Sequence, residues 1–339
     1  MARIAPAPWF LGDGRIEFRD REYRDPGQGE LLLRVEANAI CGTDRAQYRE
    51  GSAVIPGHEA AGSVVAAGPG TSTPVGARGA VFLMGFCGQC RGCRTGHTNQ
   101  CEAKRNDMGF TADGGYGPFE VVLESQFFPV PDEVGAAEAT LLLDVMGTSR
   151  HALLRLRQVR EDVESLYVAG AGPIGLGVLA MAKIVLGADV PVYVSDVAPW
   201  RREFAAQLGG IPVDATDPAA LAAAQGVDAA IDSTGKTAAR EAALRLTAKR
   251  GALVCVGHGE GLSVTVSDDL IAPERSVLGS EYFRYDEMAG NLRLLQANLP
   301  RLSPIITHQV PVAEIAEAFD LFLGGRTGKV VVVQDGDAA

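Results

Sequence analysis

Residues 164–187 read ESLYVAGAGPIGLGVLAMAKIVLG, and the fold turns on how this stretch is parsed. "SLYVA" is short and apolar, as a buried strand is. "GAGPIG" is a glycine turn, and the Ala/Leu/Met run after it reads as a helix. A G-x-G-x-x-G between a strand and a helix is the context that gives the motif meaning as a dinucleotide site. Gly170 permits the tight turn, Gly172 lets a pyrophosphate approach the backbone, and Gly175 lets the helix lie close on the strand. Pro173 and Ile174 open the helix, whose unpaired N–H groups then face the phosphates.

An acidic residue is expected about 20 positions further on, at the end of the next strand. Asp196, closing "VYVSD", lies 21 positions after Gly175. A carboxylate there accepts hydrogen bonds from the adenosine ribose hydroxyls and repels a 2′-phosphate, which favours NAD over NADP. Arg201 and Arg202 follow closely and argue the other way, since an arginine holds such a phosphate. Arg201 is placed with the cofactor site.

Outward from this unit the strand-then-helix order repeats in "VPVYVSDVAPWRREFAAQLG" (190–209). Two more apolar strands ending in glycine follow, "VDAAIDSTG" (227–235) and "GALVCVGHGEG" (251–261). Alternating strands and helices predict a parallel sheet covered on both faces. The first 145 residues differ. Short β-like runs, "ELLLRVEANAI", "AAGSVVAAG", "GARGAVFLM" and "PFEVVLES", are punctuated by Gly and Pro, which predicts a many-stranded β domain. Two helical patterns, 285–299 and 312–325, and a strand-like "GKVVVVQD" close the chain.

The length of 339 residues suits two domains. Net charge is −11 and no Lys/Arg-rich run occurs, which argues against nucleic acid or an anionic membrane as a partner. "MARIAPAPWFLGDGRIEF" lacks a charged segment followed by an apolar stretch, and no run of 18 apolar residues exists. A cytoplasmic location is therefore expected. In that reducing compartment, clustered cysteines point to metal or redox chemistry rather than structural disulfides.

Four of the six cysteines lie in "CGQCRGCRTGHTNQC", residues 87–101. The spacing of Cys87, Cys90, Cys93 and Cys101 is C-x2-C-x2-C-x7-C. Four thiolates with no open position suit a structural zinc. An iron–sulfur cluster is the rival, but its fourth cysteine usually comes sooner and is followed by proline. Here Glu102 follows. Redox or disulfide use is the third reading. Two further stretches stand upstream, "CGTD" (41–44) and "GHE" (57–59). Cys41 and His58 suit zinc, though the pair alone is a weak signal.

Taken in order, "CGTD", "GHE", the four-cysteine lobe, "DGGYG" (113–117) and "GAGPIG" resemble the zinc-containing medium-chain alcohol and polyol dehydrogenases, from about residue 25 to the end. The resemblance implies an α/β protein: a GroES-like β-barrel catalytic domain (1–145 and 286–339) and a Rossmann domain (146–285), with the active site between them. It implies two zinc ions per chain and a nicotinamide cofactor. Cys41 and His58 match the first two catalytic zinc ligands. Asp44 matches the carboxylate that orients the ligating histidine, and Glu59 the acidic residue beside the metal, a ligand in some members. The third ligand is a cysteine in alcohol dehydrogenases and a glutamate, in "EPLxxxxHA", in sorbitol- and threonine-type enzymes. Here "LLLDVMGTSRHAL" (141–153) places Asp144 there. Aspartate, one methylene shorter, binds directly or through water while Glu59 takes the ligand place, or else caps the following helix.

Thr43 matches the hydroxyl that takes the substrate proton. Many members carry a histidine three positions later; Ala46 stands there, which leaves Tyr48, Arg45, Glu59 or a water chain as the exit. His151 matches a histidine near the nicotinamide, or packs the domain junction. Arg45, Tyr48, Arg150 and Tyr282 are candidates to meet a polar substrate. The implied reaction is hydride transfer from a secondary alcohol (polyol, cyclitol or amino-alcohol) to NAD, giving a ketone. The alternatives are an NADP-linked carbonyl reductase on the same fold and a non-catalytic zinc-binding relative. The resemblance further implies a homodimer or homotetramer in which an edge strand near "RSVLGSEYF" (275–283) pairs across a two-fold axis.

Overall fold

The computed structural model describes residues 3–334. An antiparallel hairpin, Arg3–Gly12 with Arg15–Tyr23, precedes two larger sheets. In the seven-stranded sheet the strand Glu30–Ala39 is central: Ala60–Ala67, Phe119–Leu123 and Lys329–Val333 all pair with it antiparallel. Arg78–Val81 and Phe127–Pro129 continue one side, and Ile306–Pro311 closes the other by pairing parallel to Lys329–Val333. The end of the chain is thus built into the same sheet as its beginning.

The six-stranded sheet is wholly parallel, in the order Ile211–Asp214, Val192–Asp196, Leu166–Ala169, Val227–Asp232, Thr247–Cys255, Ser276–Gly279. This is the doubly wound Rossmann order, and strand order reverses between Leu166–Ala169 and Val227–Asp232. Both faces are covered, as a parallel sheet requires. Leu166 and Val168 pack into one apolar cluster and Tyr167 and Ala169 into another, so the period of two is read on opposite faces of one strand. Ile211–Asp214 and Ser276–Gly279 are its two edges.

A helical segment joins the two sheets: Ala136–Thr140, a π-helical turn at Asp144–Thr148, then Ser149–Arg157. One apolar cluster runs from Ala61, Ala80 and Phe82 through Leu141–Leu143, Val145 and Met146 to Val168, Leu176 and Leu179, so the junction is packed as a core. The helix Pro173–Val185 presses on the π turn: a Cβ at Gly177 would lie 2.2 Å from the Val145 carbonyl oxygen. The helix Met288–Leu302 joins that same cluster through Met288, Leu295 and Leu302. The boundaries expected at 145/146 and 285/286 fall in helical turns, Asp144–Thr148 and Tyr285–Glu287. The chain rejoins the seven-stranded sheet at Ile306. Among the described residues, no helix is long and apolar enough to cross a membrane.

Candidate metal centres and dinucleotide cleft

Cys41 follows the central strand, His58 and Glu59 lead into Ala60–Ala67, and Asp144 opens the π turn. The Ala39 N–H donates to the Glu59 carbonyl (3.1 Å), fixing the first two loops together. One ligating atom from each of Cys41, His58, Glu59 and Asp144 lies within 4.8 Å of the others, and all four residues are buried. Asp144 Oδ2 stands 3.1 Å from Cys41 Sγ and 3.8 Å from His58 Nε2.

Asp44 does not enter this quartet; it supports it. Its Oδ2 accepts the Cys41 N–H (2.9 Å) and the Tyr116 hydroxyl (2.7 Å), and its Oδ1 lies 3.2 Å from His58 Nδ1. Nε2 on the other side of the ring faces Asp144, the arrangement a ligating histidine needs. Glu59 Oε1 accepts from the buried Lys329 ammonium, while its buried Oε2 has no partner among the described residues. Asn38 Oδ1 accepts the Glu59 N–H (3.1 Å).

The electrostatics ask for a cation. Burial and the Asp144 charge push the Cys41 thiol up. Burial alone would lower His58, but Asp44 and Asp144 raise it well above its ordinary value. Burial likewise opposes ionisation of Asp144, yet His58 holds it below the usual carboxylate range. Burial raises Glu59, with Lys329 working against the rise. A buried thiol, an imidazole and two carboxylates are costly together unless a positive ion sits among them. They are also zinc's donor types. The residues present fit that metal.

The second cluster is local. Sγ atoms lie 3.9 Å apart for Cys87–Cys93 and for Cys90–Cys101. A tetrahedron with zinc–sulfur bonds of about 2.3 Å has edges of about 3.8 Å. A disulfide requires about 2.05 Å. Backbone N–H groups of Gln89 and Cys90 point at Cys87 Sγ, those of Cys93 and Glu102 at Cys90 Sγ, and that of Cys87 at Cys101 Sγ. The donors on Cys90 bring its thiol down to about 6. Burial and Cys90 push Cys93 up to about 12, so a full set of thiolates again needs a cation.

At the switch point the glycine turn has the expected shape. Gly170 takes φ 93°, and a Cβ on Gly175 would sit 1.8 Å from the Gly170 carbonyl oxygen. A Cβ on Gly172 would meet nothing nearer than Arg201 Nη1 at 4.0 Å, so that face is open to a phosphate. Asp196 accepts the N–H of Ala171 (3.0 Å) and of Ala198 (2.9 Å). Arg201 lies 3.7 Å from the same carboxylate and leans over the glycine turn. Arg202 is spoken for, bonding the carbonyls of Asp196 and Val197 and pairing with Asp214 at 2.8 Å. A cavity of about 520 Å³ opens beyond the ends of Thr247–Cys255 and Ser276–Gly279, lined by Asn99, His151, Val256, His258 and Glu281 among others.

Residues 27–132 match the alcohol dehydrogenase GroES-like domain, and residues 173–297 match the zinc-binding dehydrogenase domain. An L-threonine 3-dehydrogenase of Pyrococcus abyssi is 32% identical over 331 residues, covering 90% of this chain and 91% of its own. The chain belongs to the zinc-containing medium-chain dehydrogenases. Two solved structures share the dehydrogenase's fold at 24% identity. One is an alcohol dehydrogenase from Escherichia coli CFT073 complexed with NADH (TM-score 0.86; 97% of this chain, 98% of that one). The other is a zinc-binding dehydrogenase from Sinorhizobium meliloti 1021 bound to NADP (0.85; 98% and 99%).

The remaining sequence candidates of the dehydrogenase fall in different places. Thr43 is exposed, and its hydroxyl makes no capping bond although it precedes the helix Asp44–Glu50. His151 is buried at the junction, 2.8 Å from Glu287 Oε1 and 3.5 Å from Asn99 Nδ2, outside the metal quartet. Tyr48 donates to Asp320 (3.3 Å) and stacks on Phe319. Arg45 lies over the Phe322 ring, and Arg150 reaches Asn291. Reading the sequence missed Lys329, Tyr116, Asn38 and Gly177. Lys329 sits in "GKVVVV", and a lysine at a strand end carries no sign that it will be buried. Phe110, whose ring lies 5.1 Å from that of His58, was missed too.

Proposed function

We propose that this dehydrogenase oxidises a secondary alcohol carrying further polar groups (a polyol, cyclitol or amino-alcohol) to the ketone, with NAD. The observation that carries the reading is the buried quartet Cys41, His58, Glu59 and Asp144, the last on a π turn against which the helix of the glycine turn packs. The L-threonine 3-dehydrogenase relative supports a substrate with a neighbouring polar group. A zinc ion held by Cys41, His58 and Asp144 would act as a Lewis acid on a hydroxyl, and a nicotinamide would accept hydride.

The chain's own residues do the rest. Asp44, itself held by Tyr116, keeps the His58 ring in place. Lys329 occupies one oxygen of Glu59 and offsets its charge, which supports Asp144 as the third ligand. Thr43 takes the hydroxyl proton. Ala46 offers no group to relay it, Tyr48 is committed to Asp320, Glu59 Oε1 to Lys329, and Arg45 lies over the Phe322 ring, which together support exit through water. Gly172 and Arg201 receive the pyrophosphate, and Asp196 the ribose. Arg202 is tied to Asp214 and the Asp196 carboxylate opposes a 2′-phosphate, which supports NAD over NADP.

Cys87, Cys90, Cys93 and Cys101 hold the second zinc as a staple. The edge strand Ser276–Gly279 pairs with its mate in a homodimer or homotetramer, which removes an otherwise open sheet edge. The free cysteines support work in the cytoplasm. Zinc per chain is the test: about two in the unaltered protein and about one in Cys41→Ser. One zinc in both, with no gain of alcohol oxidation on adding zinc, would sink the reading. With a substrate in hand, kcat/KM should favour NAD over NADP on the order of 10²-fold; a preference for NADP would overturn the cofactor assignment.

A further inference from the structure

Asp232 and Arg240 form a buried ion pair beside the switch point. Asp232 closes the strand Val227–Asp232 and is fully buried; Arg240 stands on the helix Thr237–Leu246 and is 8% exposed. Arg240 Nε donates to Asp232 Oδ2 at 2.8 Å. The rest of the guanidinium reaches another loop: Nη1 donates to the Glu260 carbonyl and Nη2 to the Gly257 carbonyl. Asp232 meanwhile orders its own loop. Its Oδ1 accepts the Thr234 N–H (2.8 Å) and hydroxyl (2.6 Å), and its Oδ2 the Gly235 N–H (3.2 Å).

The pair thus ties together two loops that leave the C-terminal ends of neighbouring parallel strands. One of them, "GHGEG" (257–261), holds three glycines in five residues, so it has much backbone freedom to lose. The Val256 and Gly257 N–H groups donate to the Asp232 carbonyl (2.9 and 3.0 Å), and the Glu260 N–H to the Gly235 carbonyl (2.8 Å). The loops meet too closely for a side chain: a Cβ on Gly235 would lie 1.9 Å from the His258 carbonyl oxygen. Ser233 adds the glycine turn, its Oγ donating to the Ala169 carbonyl (2.8 Å). Val256, Gly257 and His258 line the cavity of about 520 Å³. Ligands of open parallel sheets bind outside the carboxyl ends of the strands at the switch point. A surface already set costs less to bind.

We infer that Arg240 is a positioning residue for the dinucleotide: its planar fork holds 257–260 against 232–235 before cofactor arrives, so that NAD and NADH meet a wall already in place. This rests on the dehydrogenase reading above, through its cofactor and not its alcohol. Arg240 acts through the loop and touches no reacting atom.

The test follows NADH binding by calorimetry, together with the melting temperature, in zinc-loaded unaltered protein, Arg240→Lys and Arg240→Ala. Lysine keeps a cation beside Asp232 but has no fork to span two carbonyls. Arg240→Lys should therefore recover most of the stability that Arg240→Ala loses by stranding a buried carboxylate, yet bind NADH about 10-fold more weakly than the unaltered protein. With 2,3-butanediol as substrate, its KM for NAD should rise in parallel while kcat stays within about 2-fold. Affinity that returns together with stability in Arg240→Lys would make the residue merely structural and overturn the inference. If Arg240→Ala does not fold, the lysine variant against the unaltered protein still decides. A further measurement needs no variant: in the cofactor-free protein the Gly257 and Glu260 amides should exchange hydrogen at least about 100-fold more slowly than an open loop does. Free exchange there would also overturn it. NADH binding that weakens as expected in a protein that oxidises no alcohol would uphold Arg240 and sink the substrate reading. Failure of the unaltered protein to bind NADH or NADPH would sink both.

Discussion

The two clusters of metal-ligating side chains are built on opposite plans. Cys87, Cys90, Cys93 and Cys101 lie within fifteen residues, three of them are partly exposed, and backbone N–H groups of the same loop tune their sulfurs. Cys41 and Asp144 are 103 residues apart, and every member of their quartet is buried. The lobe uses one donor type and closes its shell. The quartet mixes thiol, imidazole and carboxylate, and needs Asp44, Tyr116 and Lys329 to hold it. A loop can fold around an ion when the ion itself supplies the order. A site that must leave room for substrate has to be held open by the protein, and that takes the whole tertiary structure.

The largest effect that sharpens this contrast is expected at Cys41. Cys41→Ser should lower kcat/KM by about 10³-fold or more, while the melting temperature falls by less than in the lobe variant Cys93→Ser, because the junction core stays intact although the buried carboxylates lose their cation. A large loss of stability with activity in proportion would mean that the quartet is a second staple. Next comes the lobe. Cys93→Ser should remove the other zinc and lower the melting temperature by roughly 10 °C, since the ion replaces a hydrophobic core there. If stability is unmoved, the staple reading breaks.

The smallest effect concerns buried acids with and without a cation. Glu59 has Lys329; Glu120 is fully buried with neither oxygen bonded, and burial, then Asp113, raises it well above the usual carboxylate range. A raised folded value means that Glu120's contribution is intact below its unfolded value of about 4.3 and is lost as pH rises. Glu120→Gln should therefore raise the melting temperature by roughly 2 °C at pH 8 and by nearly nothing at pH 4. An equal shift at both pH values would show that Glu120 is not the titrating group.

How far each feature was legible follows the same division. The glycine turn, Asp196 and the cysteine lobe were legible because strand, turn, helix and ligand spacing are local patterns. The parallel sheet covered on both faces emerged as read and the Rossmann domain as the resemblance implied; the structure adds the strand order, with Leu166 and Val168 facing one core and Tyr167 and Ala169 the other. Cys41, His58, Glu59 and Asp144 were legible only through the resemblance, since no local spacing links them. Lys329, 270 residues from Glu59, carried no signal at all.

The sequence by itself determined the parallel sheet, the dinucleotide turn and the closed cysteine lobe, because neighbours along the chain decide those. Only the tertiary structure decided that Asp144 meets Cys41 on a π turn, that Lys329 pairs with Glu59, that Arg202 is tied to Asp214, and that the lobe clamps the segment carrying Tyr282. Burial sets these outcomes: which charges lose water, and which partner then satisfies each, depends on groups that the chain brings together from far apart.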